Sequence, residues 1–277
     1  MVLLIFFIIS AAASVAFALL SAGVNGFADI WKPIVFCFCC FLGLVVVYLL
    51  IAAIVSLFID KNRPISRKSG ICSLFCYMAG SIVCSVTGIK PHLSGFEKIP
   101  GDKRFLLISN HRSGYDPLFM LNILRKYDVA FVSKPSNMAL PVVGSVAHGA
   151  GCLSLNRENN REALKTIITA SEYMLKDLCS MCIYPEGTRN KTEAPLGEFH
   201  KGSFKIAQKS GCPIVPVVIN HSDEIFEKHI PFIRRTKVTI EYCKPIVISA
   251  LSKEDQKNID TYVKNIIEAT YLNNQTN

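Results

Sequence analysis

The first 59 residues carry almost no charge, and this limits what the chain can fold into. Their only charged side chains, Asp29 and Lys32, cancel, so the +9 net charge of the 277-residue chain lies beyond them. A helix of about 20 apolar residues crosses the core of a bilayer. Residues 2–24 and 34–59 are both long and apolar enough. We therefore predict two transmembrane helices joined by a tight loop at residues 25–33.

The charges around these stretches predict how the chain is inserted. A cleaved signal peptide is the alternative for the first stretch, but no Lys or Arg precedes it and a second long span follows. Lys61, Arg63, Arg67 and Lys68 come directly after the second span. Because basic residues stay on the cytoplasmic side, we predict an integral protein of the cell membrane whose remaining residues face the cytoplasm.

Residues 71–89 form a third run without charge, and two placements are open for it. A crossing would put the rest of the chain on the opposite side of the membrane. The run contains several Ser, Gly and Thr residues, and basic residues such as Lys90 and Lys98 follow it on its far side. We favour a helix that lies in the interface or dips into one leaflet.

The overall composition excludes some classes of site. The eleven cysteines are scattered, which favours reduced, apolar packing. Cys179 and Cys182 have the CxxC spacing, but no second pair and no set of nearby histidines accompanies them, so a zinc or redox site is disfavoured. Anionic lipid headgroups and phosphorylated substrates explain the basic charge, so no nucleic acid is needed as a partner.

Beyond residue 100, apolar runs typical of buried strands alternate with helical patterns. This alternation predicts an α/β fold, with a central mixed sheet flanked by helices and preceded by the hydrophobic amino-terminal helices. The predicted strands are residues 104–108, 129–133, 152–155, 181–184, 213–219, 236–242 and 245–248. The predicted helices are residues 118–127, 139–147, 162–178 and 202–208, with a last one from residue 252. In such sheets, ligands bind at the carboxyl ends of strands.

His111 and Asp116 follow the first of these strands and are the candidate catalytic pair. A neutral imidazole can take the proton of a hydroxyl that attacks a carbonyl, and a carboxylate on its other nitrogen fixes the tautomer. Asp116 precedes Pro117 and a periodic apolar run, which predicts that it is the N-cap of a helix. The alternative is that Asp116 only caps this helix and His111 is an ordinary loop residue.

A second set of residues has the chemistry of an anion site. These residues follow predicted strands or begin a helix, and they are Arg157, Glu186, Gly187, Thr188, Arg189 and Lys201. A guanidinium such as that of Arg189 binds phosphate through two parallel hydrogen bonds, Gly187 permits close approach of the backbone, and Thr188 adds a donor. Lys201 stands directly before the predicted helix 202–208, and the N-terminus of a helix favours anions. The alternative is a polar turn with solvated basic residues.

Motifs of other chemistries are absent from the sequence. It contains no G-x-S-x-G, H-E-x-x-H, G-x-G-x-x-G or G-x-x-x-x-G-K-[ST] string. The histidines other than His111 have no metal-ligand spacing. We therefore expect no metal site and a reaction that needs no cofactor.

Four blocks taken in order resemble the 1-acylglycerol-3-phosphate O-acyltransferase family of glycerolipid acyltransferases. The blocks are residues 110–116, 151–157, 184–189 and 215–217, and the resemblance covers about residues 90–245. It implies an amino-terminal helical element that seats the active site at the bilayer surface, although two long hydrophobic spans ahead of the domain depart from the commonest family pattern. Together with the hydropathy and charge patterns, it predicts three regions: two transmembrane helices in residues 1–59, a basic loop with an interfacial or third membrane helix in 60–89, and an acyltransferase catalytic domain in 90–277.

The resemblance also implies roles for the candidate residues. His111 would be the general base and Asp116 its orienting partner, while Arg157 and the Glu186–Arg189 block would hold the phosphate of a lysophospholipid acceptor. Lys201 is similar to a basic residue of the family after the third block. The acyl donor would be a thioester of coenzyme A or acyl carrier protein, and the product phosphatidic acid.

Departures from the family pattern leave the acceptor open. Asn190 and Lys191 follow the third block, and Ser154 and Asn156 stand in the second. Glycerol 3-phosphate or another lysophospholipid is therefore an alternative acceptor. Two alternatives lie outside this class. The first is a non-enzymatic membrane protein that binds anionic lipid, and the second is a phosphate-ester hydrolase with His111 as its nucleophile.

Overall fold

The computed structural model describes residues 2–20 and 29–275, which fall into two compact units, Met1–Ile59 and Asp60–Asn277. The first unit contains helices α1 (Val2–Leu20) and α2 (Trp31–Leu57). Residues 25–28 of the predicted loop lie outside the described residues.

The two helices of the first unit pack against each other. The rings of Phe17 and Phe36 stack with centroids 4.5 Å apart, and the Ser14 hydroxyl donates to the carbonyl of Pro33. Most of their apolar side chains remain exposed. By length and composition, both helices are suited to cross a membrane, and so is helix α3 (Gly70–Thr87) of the second unit.

The second unit contains a seven-stranded sheet with helices on its faces. The strands are β1 (His92–Ser94), β2 (Leu106–Ser109), β3 (Val129–Ser133), β4 (Leu153–Ser154), β5 (Ser180–Ile183), β6 (Ile214–Asn220) and β7 (Thr239–Tyr242). After α3, the helices are α4 (Asp116–Ile123), α5 (Pro135–Met138), α6 (Val143–Gly149), α7 (Asn160–Leu175), α8 (Lys205–Ser210), α9 (Lys253–Lys257) and α10 (Ile259–Asn273).

The sheet is mixed, with the strand order β1-β7-β6-β2-β5-β3-β4. Neighbouring strands are parallel except for the antiparallel pair β6 and β7. The α/β fold predicted from the sequence is confirmed. Because strands β2 to β6 run in the same direction, their carboxyl ends lie at one edge of the sheet. Every residue of β2, β5 and β6 is buried, which explains their continuous apolar sequences.

Helix α3 packs on the sheet-containing unit through one face. Cys72 and Phe75 are buried on this face, and a Cβ atom added at Gly80 would lie 2.5 Å from the carbonyl oxygen of Leu118 in α4. Another face exposes Ile71 and Leu74. The helix therefore has one face in the core and one apolar face outside it. Its predicted position in a membrane interface stays a prediction.

Three details of the sequence-based prediction are wrong. Strand β1 was not expected, since its three residues are all exposed. Residues 245–248 form no strand, because only Ile246 bridges to β6. In the predicted helix 162–178, the apolar pattern places Leu175 on one face with Ile167 and Met174, but Leu175 is exposed while those two are buried. Tyr173 is buried instead, and its hydroxyl accepts the backbone N–H of Ile65.

Candidate active site

The loop that carries His111 is fixed to the sheet by its first residue. Asn110 follows β2 and is fully buried. Its side-chain amide donates to the carbonyl of Ile219 in β6 at 2.8 Å, and its side-chain oxygen accepts the N–H of Ile219 at 2.8 Å. Asn110 thus pairs with β6 as a strand residue would, although the chain has already left β2. His111 therefore starts from a rigid position at the carboxyl edge of the sheet.

The carboxylate of Asp116 holds the His111 ring. His111 Nδ1 lies 2.9 Å from Asp116 Oδ2, and the same oxygen accepts the backbone N–H groups of Arg112 and Ser113 at 2.9 Å each. Asp116 is fully buried. It is the first helical residue of α4, whose N-cap is Tyr115, so the predicted N-cap role of Asp116 is wrong. Its carboxylate turns back onto the preceding loop instead, where three donors converge on it.

This arrangement fixes the tautomer of His111. Because Asp116 Oδ2 is an acceptor, Nδ1 carries the proton and Nε2 of the neutral ring is left with its lone pair. The ring stacks on Tyr184 with centroids 4.2 Å apart and an interplanar angle of 22°. His111 lines a cleft and its side chain is 16% exposed. The pair thus has the geometry of a general base that is accessible from the cleft.

Both carboxylate oxygens of Glu186 accept hydrogen bonds, and one of these bonds fixes the backbone of His111. Its Oε1 accepts the N–H of His111 at 2.8 Å and its Oε2 accepts the N–H of Gly197 at 2.9 Å. Burial raises the pKa of the Glu186 carboxyl, and these hydrogen bonds oppose the shift. The N–H of Asn190 also donates to the carbonyl of His111 at 2.7 Å. The sequence predicted Glu186 as a substrate-binding residue, whereas its side chain points inward and positions His111.

The cleft beside His111 has a volume of about 490 Å³. Its walls come from the carboxyl ends of β3, β4 and β5, and they include Phe131, Lys134, Leu155 and Arg157. It therefore combines apolar walls with basic side chains, which suits a ligand that has both an apolar part and an anionic group.

Arg157 and Gly187 lie together in this cleft. The Arg157 guanidinium donates to the carbonyls of Tyr184 at 3.2 Å and Pro185 at 3.4 Å. Burial lowers the pKa of Arg157. Gly187 has a φ of 74°, and a Cβ atom added to it would collide with the Arg157 guanidinium. Glycine is therefore required here both by the left-handed backbone and by the close approach of Arg157.

The other predicted anion-binding residues lie elsewhere. Arg189 lines a second cleft of about 320 Å³, where its guanidinium contacts Glu227 at 3.3 Å. Lys201 Nζ lies 3.9 Å from Asp260 Oδ2 in α10 and is 71% exposed. Thr188 is exposed. Neither Thr188 nor Lys201 lines either of these two clefts in the part of the chain that the structure describes.

Arg112 is a residue whose role sequence reasoning missed. It is buried, and its guanidinium contacts Asp223 Oδ2 at 3.1 Å and the carbonyls of Ala194 and Thr192 at 3.1 and 3.3 Å. It thereby ties the His111 loop to two distant segments. No local pattern predicts these contacts, since its partners lie 80 or more residues away. Within residues 2–20 and 29–275, no group of three or more His, Cys, Asp or Glu side chains is placed to hold a metal ion.

Replacing Gly187 with alanine is expected to lower kcat/KM at least about tenfold, because a left-handed non-glycine residue costs roughly 1–2 kcal/mol and the new methyl group displaces Arg157. Steady-state kinetics and thermal melting measure both effects. Gly101→Ala is the matched control, because a Cβ atom there meets open space. If Gly187→Ala and Gly101→Ala were equally active, the close approach of Arg157 to Gly187 would not be required for activity.

Comparisons with known proteins show which class of enzyme the chain resembles. A family model described as Acyltransferase matches residues 90–220. The 1-acyl-sn-glycerol-3-phosphate acyltransferase of Borreliella burgdorferi is 30% identical over 182 residues, which are 66% of this chain and 72% of that protein. The enzyme of the same name from Saccharomyces cerevisiae is 30% identical over 55% of this chain and 50% of its own length.

A solved structure shares the fold. The 1-acyl-sn-glycerophosphate acyltransferase of Thermotoga maritima aligns with a TM-score of 0.63 and 23% identity, over 74% of this chain and 80% of that one. This likeness shows the fold, while the family model and the relatives of the same name show that the chain is an O-acyltransferase. Within that class, the chain belongs to the 1-acyl-sn-glycerol-3-phosphate acyltransferase family. The family expected from the four sequence blocks is thus confirmed.

Proposed function

We propose that this chain transfers a fatty acyl group from an acyl thioester to the free hydroxyl of 1-acylglycerol 3-phosphate, giving phosphatidic acid. The observation that carries the proposal is the 2.9 Å contact of His111 with the fully buried Asp116 beside an open cleft. The relatives that the chain matches are named for this acceptor.

The residues support one route for the transfer. His111 Nε2 takes the proton of the acceptor hydroxyl while the oxygen attacks the carbonyl carbon of the thioester. The tetrahedral intermediate then collapses, the carbon–sulfur bond breaks, and the imidazolium returns the proton to the leaving thiolate. Asp116 stabilises the imidazolium between the two steps because its carboxylate stays charged.

The donor is proposed from the chemistry alone. A thioester of coenzyme A or acyl carrier protein carries an activated acyl group, so the route needs neither a metal nor a cofactor. The cleft beside His111 supports a thioester of either carrier as the donor. In it, Phe131 and Leu155 offer apolar contacts, and Lys134 and Arg157 offer positive charge. Apolar contacts suit an acyl chain, and positive charge suits the phosphate groups of either carrier.

The membrane supplies the acceptor in this proposal. The acyl tail of 1-acylglycerol 3-phosphate stays in the cytoplasmic leaflet while its phosphate reaches Arg189, so its hydroxyl approaches His111 in a restricted orientation. The apolar helices α1 and α2 and the basic residues 61–68 support this placement of the second unit on the cytoplasmic side. The product also returns directly to the leaflet.

An acceptor comparison with purified full-length protein tests the proposal. We expect 1-acylglycerol 3-phosphate to be used best, ahead of glycerol 3-phosphate and of lysophospholipids with phosphodiester headgroups. Arg189→Ala should raise the KM for phosphorylated acceptors at least about tenfold, because a charge-assisted hydrogen bond to phosphate is lost. Arg125→Ala is the control, since Arg125 is an exposed arginine of the turn before β3. A preference for another acceptor, or an unchanged KM in Arg189→Ala, would contradict the assignment.

A further inference from the structure

A third cleft of the second unit is lined by basic side chains. It has a volume of about 340 Å³, and its lining includes Lys61, Arg63, His148 and Lys165. No Asp or Glu is among the described residues that line it. Helix α5 borders both this cleft and the catalytic cleft, and Pro135 lines the two. The catalytic pair itself does not reach the third cleft.

The basic segment after α2 forms one wall of this cleft and is bound to the rest of the second unit. His148 Nε2 lies 2.9 Å from the carbonyl oxygen of Arg63. The backbone N–H of Ile65 donates to the Tyr173 hydroxyl at 2.7 Å, and Lys61 Nζ contacts a carbonyl oxygen of α5 at 3.5 Å. The wall is therefore a built part of the fold, although its sequence predicts only a basic loop.

Most of the positive charge in the cleft is not neutralised. Lys61 and Lys165 are exposed and pair with no carboxylate in the part of the chain that the structure describes. Arg63 Nε lies 3.5 Å from Asp60 Oδ2, but the Arg63 side chain is 86% exposed, so this ion pair contributes little. A concave surface that is lined by cations and by no carboxylate attracts an anion.

A buried hydroxyl in the same cleft has no partner. Thr169 of α7 lines the cleft and is only 9% exposed. Its hydroxyl makes no hydrogen bond within residues 2–20 and 29–275, whereas that of Thr166 donates to the carbonyl of Ser154 at 2.7 Å. Buried polar groups normally have a hydrogen-bond partner. The Thr169 hydroxyl is therefore available to a ligand in the cleft.

The chain next to the cleft carries exposed apolar side chains. Ala139 lines the cleft, and the nearby Leu140 and Val143 are 50% and 59% exposed. A free anion needs no apolar contact, whereas the acyl chains of a lipid do. Lys61 also follows soon after α2, which ends at Leu57. In the placement proposed above, this part of the second unit faces the cytoplasmic leaflet, so a lipid is the favoured source of the anion.

We propose that this cleft binds the headgroup of an anionic phospholipid of the cytoplasmic leaflet. Lys61 and Lys165 contact its phosphate, and the Thr169 hydroxyl donates to it. Leu140 and Val143 contact the acyl chains of the leaflet. The bound lipid holds the second unit against the membrane and is not a substrate. The inference depends on the membrane placement proposed above and is independent of the acyl transfer reaction.

Binding of labelled lipid to full-length protein in detergent micelles tests the proposal. Fluorescent phosphatidylglycerol is the anionic probe, and phosphatidylcholine with the same label has no net charge. We expect Lys61→Gln combined with Lys165→Gln to bind phosphatidylglycerol at least about tenfold more weakly than wild type, because two contacts with an anionic lipid are lost. Binding of phosphatidylcholine should change little.

Lys253→Gln combined with Lys257→Gln is the matched control. Both lysines are exposed residues of α9, neither lines the cleft, and the change in net charge is the same. This variant should bind phosphatidylglycerol as tightly as the wild type does. An equal loss of affinity in the two double variants would show that only the net charge matters, and it would overturn the proposal.

Thr169→Val separates a role in binding from a role in the fold. Because the Thr169 hydroxyl has no partner, its removal should leave the melting temperature in lipid-free micelles unchanged or higher. The affinity for phosphatidylglycerol should fall about fivefold, as expected for one lost hydrogen bond. A lower melting temperature with unchanged affinity would show that the hydroxyl serves the fold and would contradict its role as a donor to the lipid.

Two further measurements exclude other occupants of the cleft. Inorganic phosphate should not displace labelled phosphatidylglycerol; displacement as effective as that by unlabelled phosphatidylglycerol would indicate a site for free phosphate and would overturn the proposal. Lys61→Gln with Lys165→Gln should also keep the wild-type KM for acyl-CoA and acyl carrier protein thioesters. A raised KM with unchanged lipid binding would assign the cleft to the donor instead.

The outcomes for this site and for the proposed function are distinct, because lipid binding is measured without turnover. Weaker phosphatidylglycerol binding in the variant of the two cleft lysines, with no phosphatidic acid formed by the wild type, would support the site and contradict the reaction. Phosphatidic acid formation by the wild type, with equal lipid binding in the variant, would support the reaction and contradict the site.

Discussion

Replacing His111 with alanine is expected to lower the rate of acyl transfer at least about 10²-fold, because general base catalysis contributes about 10²–10⁴ to such reactions. The fold should survive the change. The N–H of His111 still donates to Glu186 and its carbonyl still accepts from Asn190, so the loop keeps both backbone contacts. The loss should therefore appear in kcat with little change in the melting temperature.

Steady-state kinetics of purified full-length His111→Ala measure this effect. His92→Ala is the control, since His92 is an exposed residue of β1. The assignment of His111 as the base would be wrong if His111→Ala kept more than about a tenth of the wild-type kcat, because a missing base removes more than that.

Replacing Asp116 with asparagine is expected to reduce kcat about 10²–10⁴-fold, because the carboxylate sets the tautomer of His111 and stabilises the imidazolium. An amide oxygen can still accept the N–H groups of Arg112 and Ser113, so the loop retains its shape. Its charge is gone, however, so the imidazolium is no longer stabilised. If the amide turns over instead, its N–H faces Nδ1 and the ring carries its proton on Nε2, where it cannot act as a base, while the two backbone N–H groups lose their acceptor.

The kcat of Asp116→Asn, compared with that of Asp177→Asn, tests this role. Asp177 is 82% exposed and pairs with Arg104 at the opposite end of the sheet strands. The KM for the acceptor should change little in Asp116→Asn, because Asp116 contacts no solvent. A raised KM with an unchanged kcat would show that Asp116 only shapes the binding site.

The sequence was sufficient to predict the fold class and the pairing of His111 with Asp116 at the end of a strand. Strand β3 lies where its apolar run predicted it, and β2, β5 and β6 lie within a residue or two. These strands are recognisable because they are buried on both faces and so are apolar at consecutive positions. His111 and Asp116 were predicted because both follow one strand closely, and local spacing decides whether their side chains meet.

Contacts between distant segments were not predictable in this way. Glu186 has a surface-type side chain, yet it fixes the N–H of His111 across 75 residues. Glu227 reaches Ser113 across 114 residues. The two arginines of the expected phosphate site line different clefts: Arg157 lines the cleft beside His111, and Arg189 lines the second one. Such pairings depend on the order of strands in the sheet, which no local pattern encodes.

The formation of phosphatidic acid tests the central claim most directly. Full-length wild type and His111→Ala would be placed in bilayers with labelled 1-acylglycerol 3-phosphate and either acyl-CoA or acyl carrier protein thioester. We expect labelled phosphatidic acid from the wild type, with one of the two donors, at a rate at least about 10²-fold above that of His111→Ala. Equal rates for the two proteins, or consumption of thioester without a labelled product, would contradict the account.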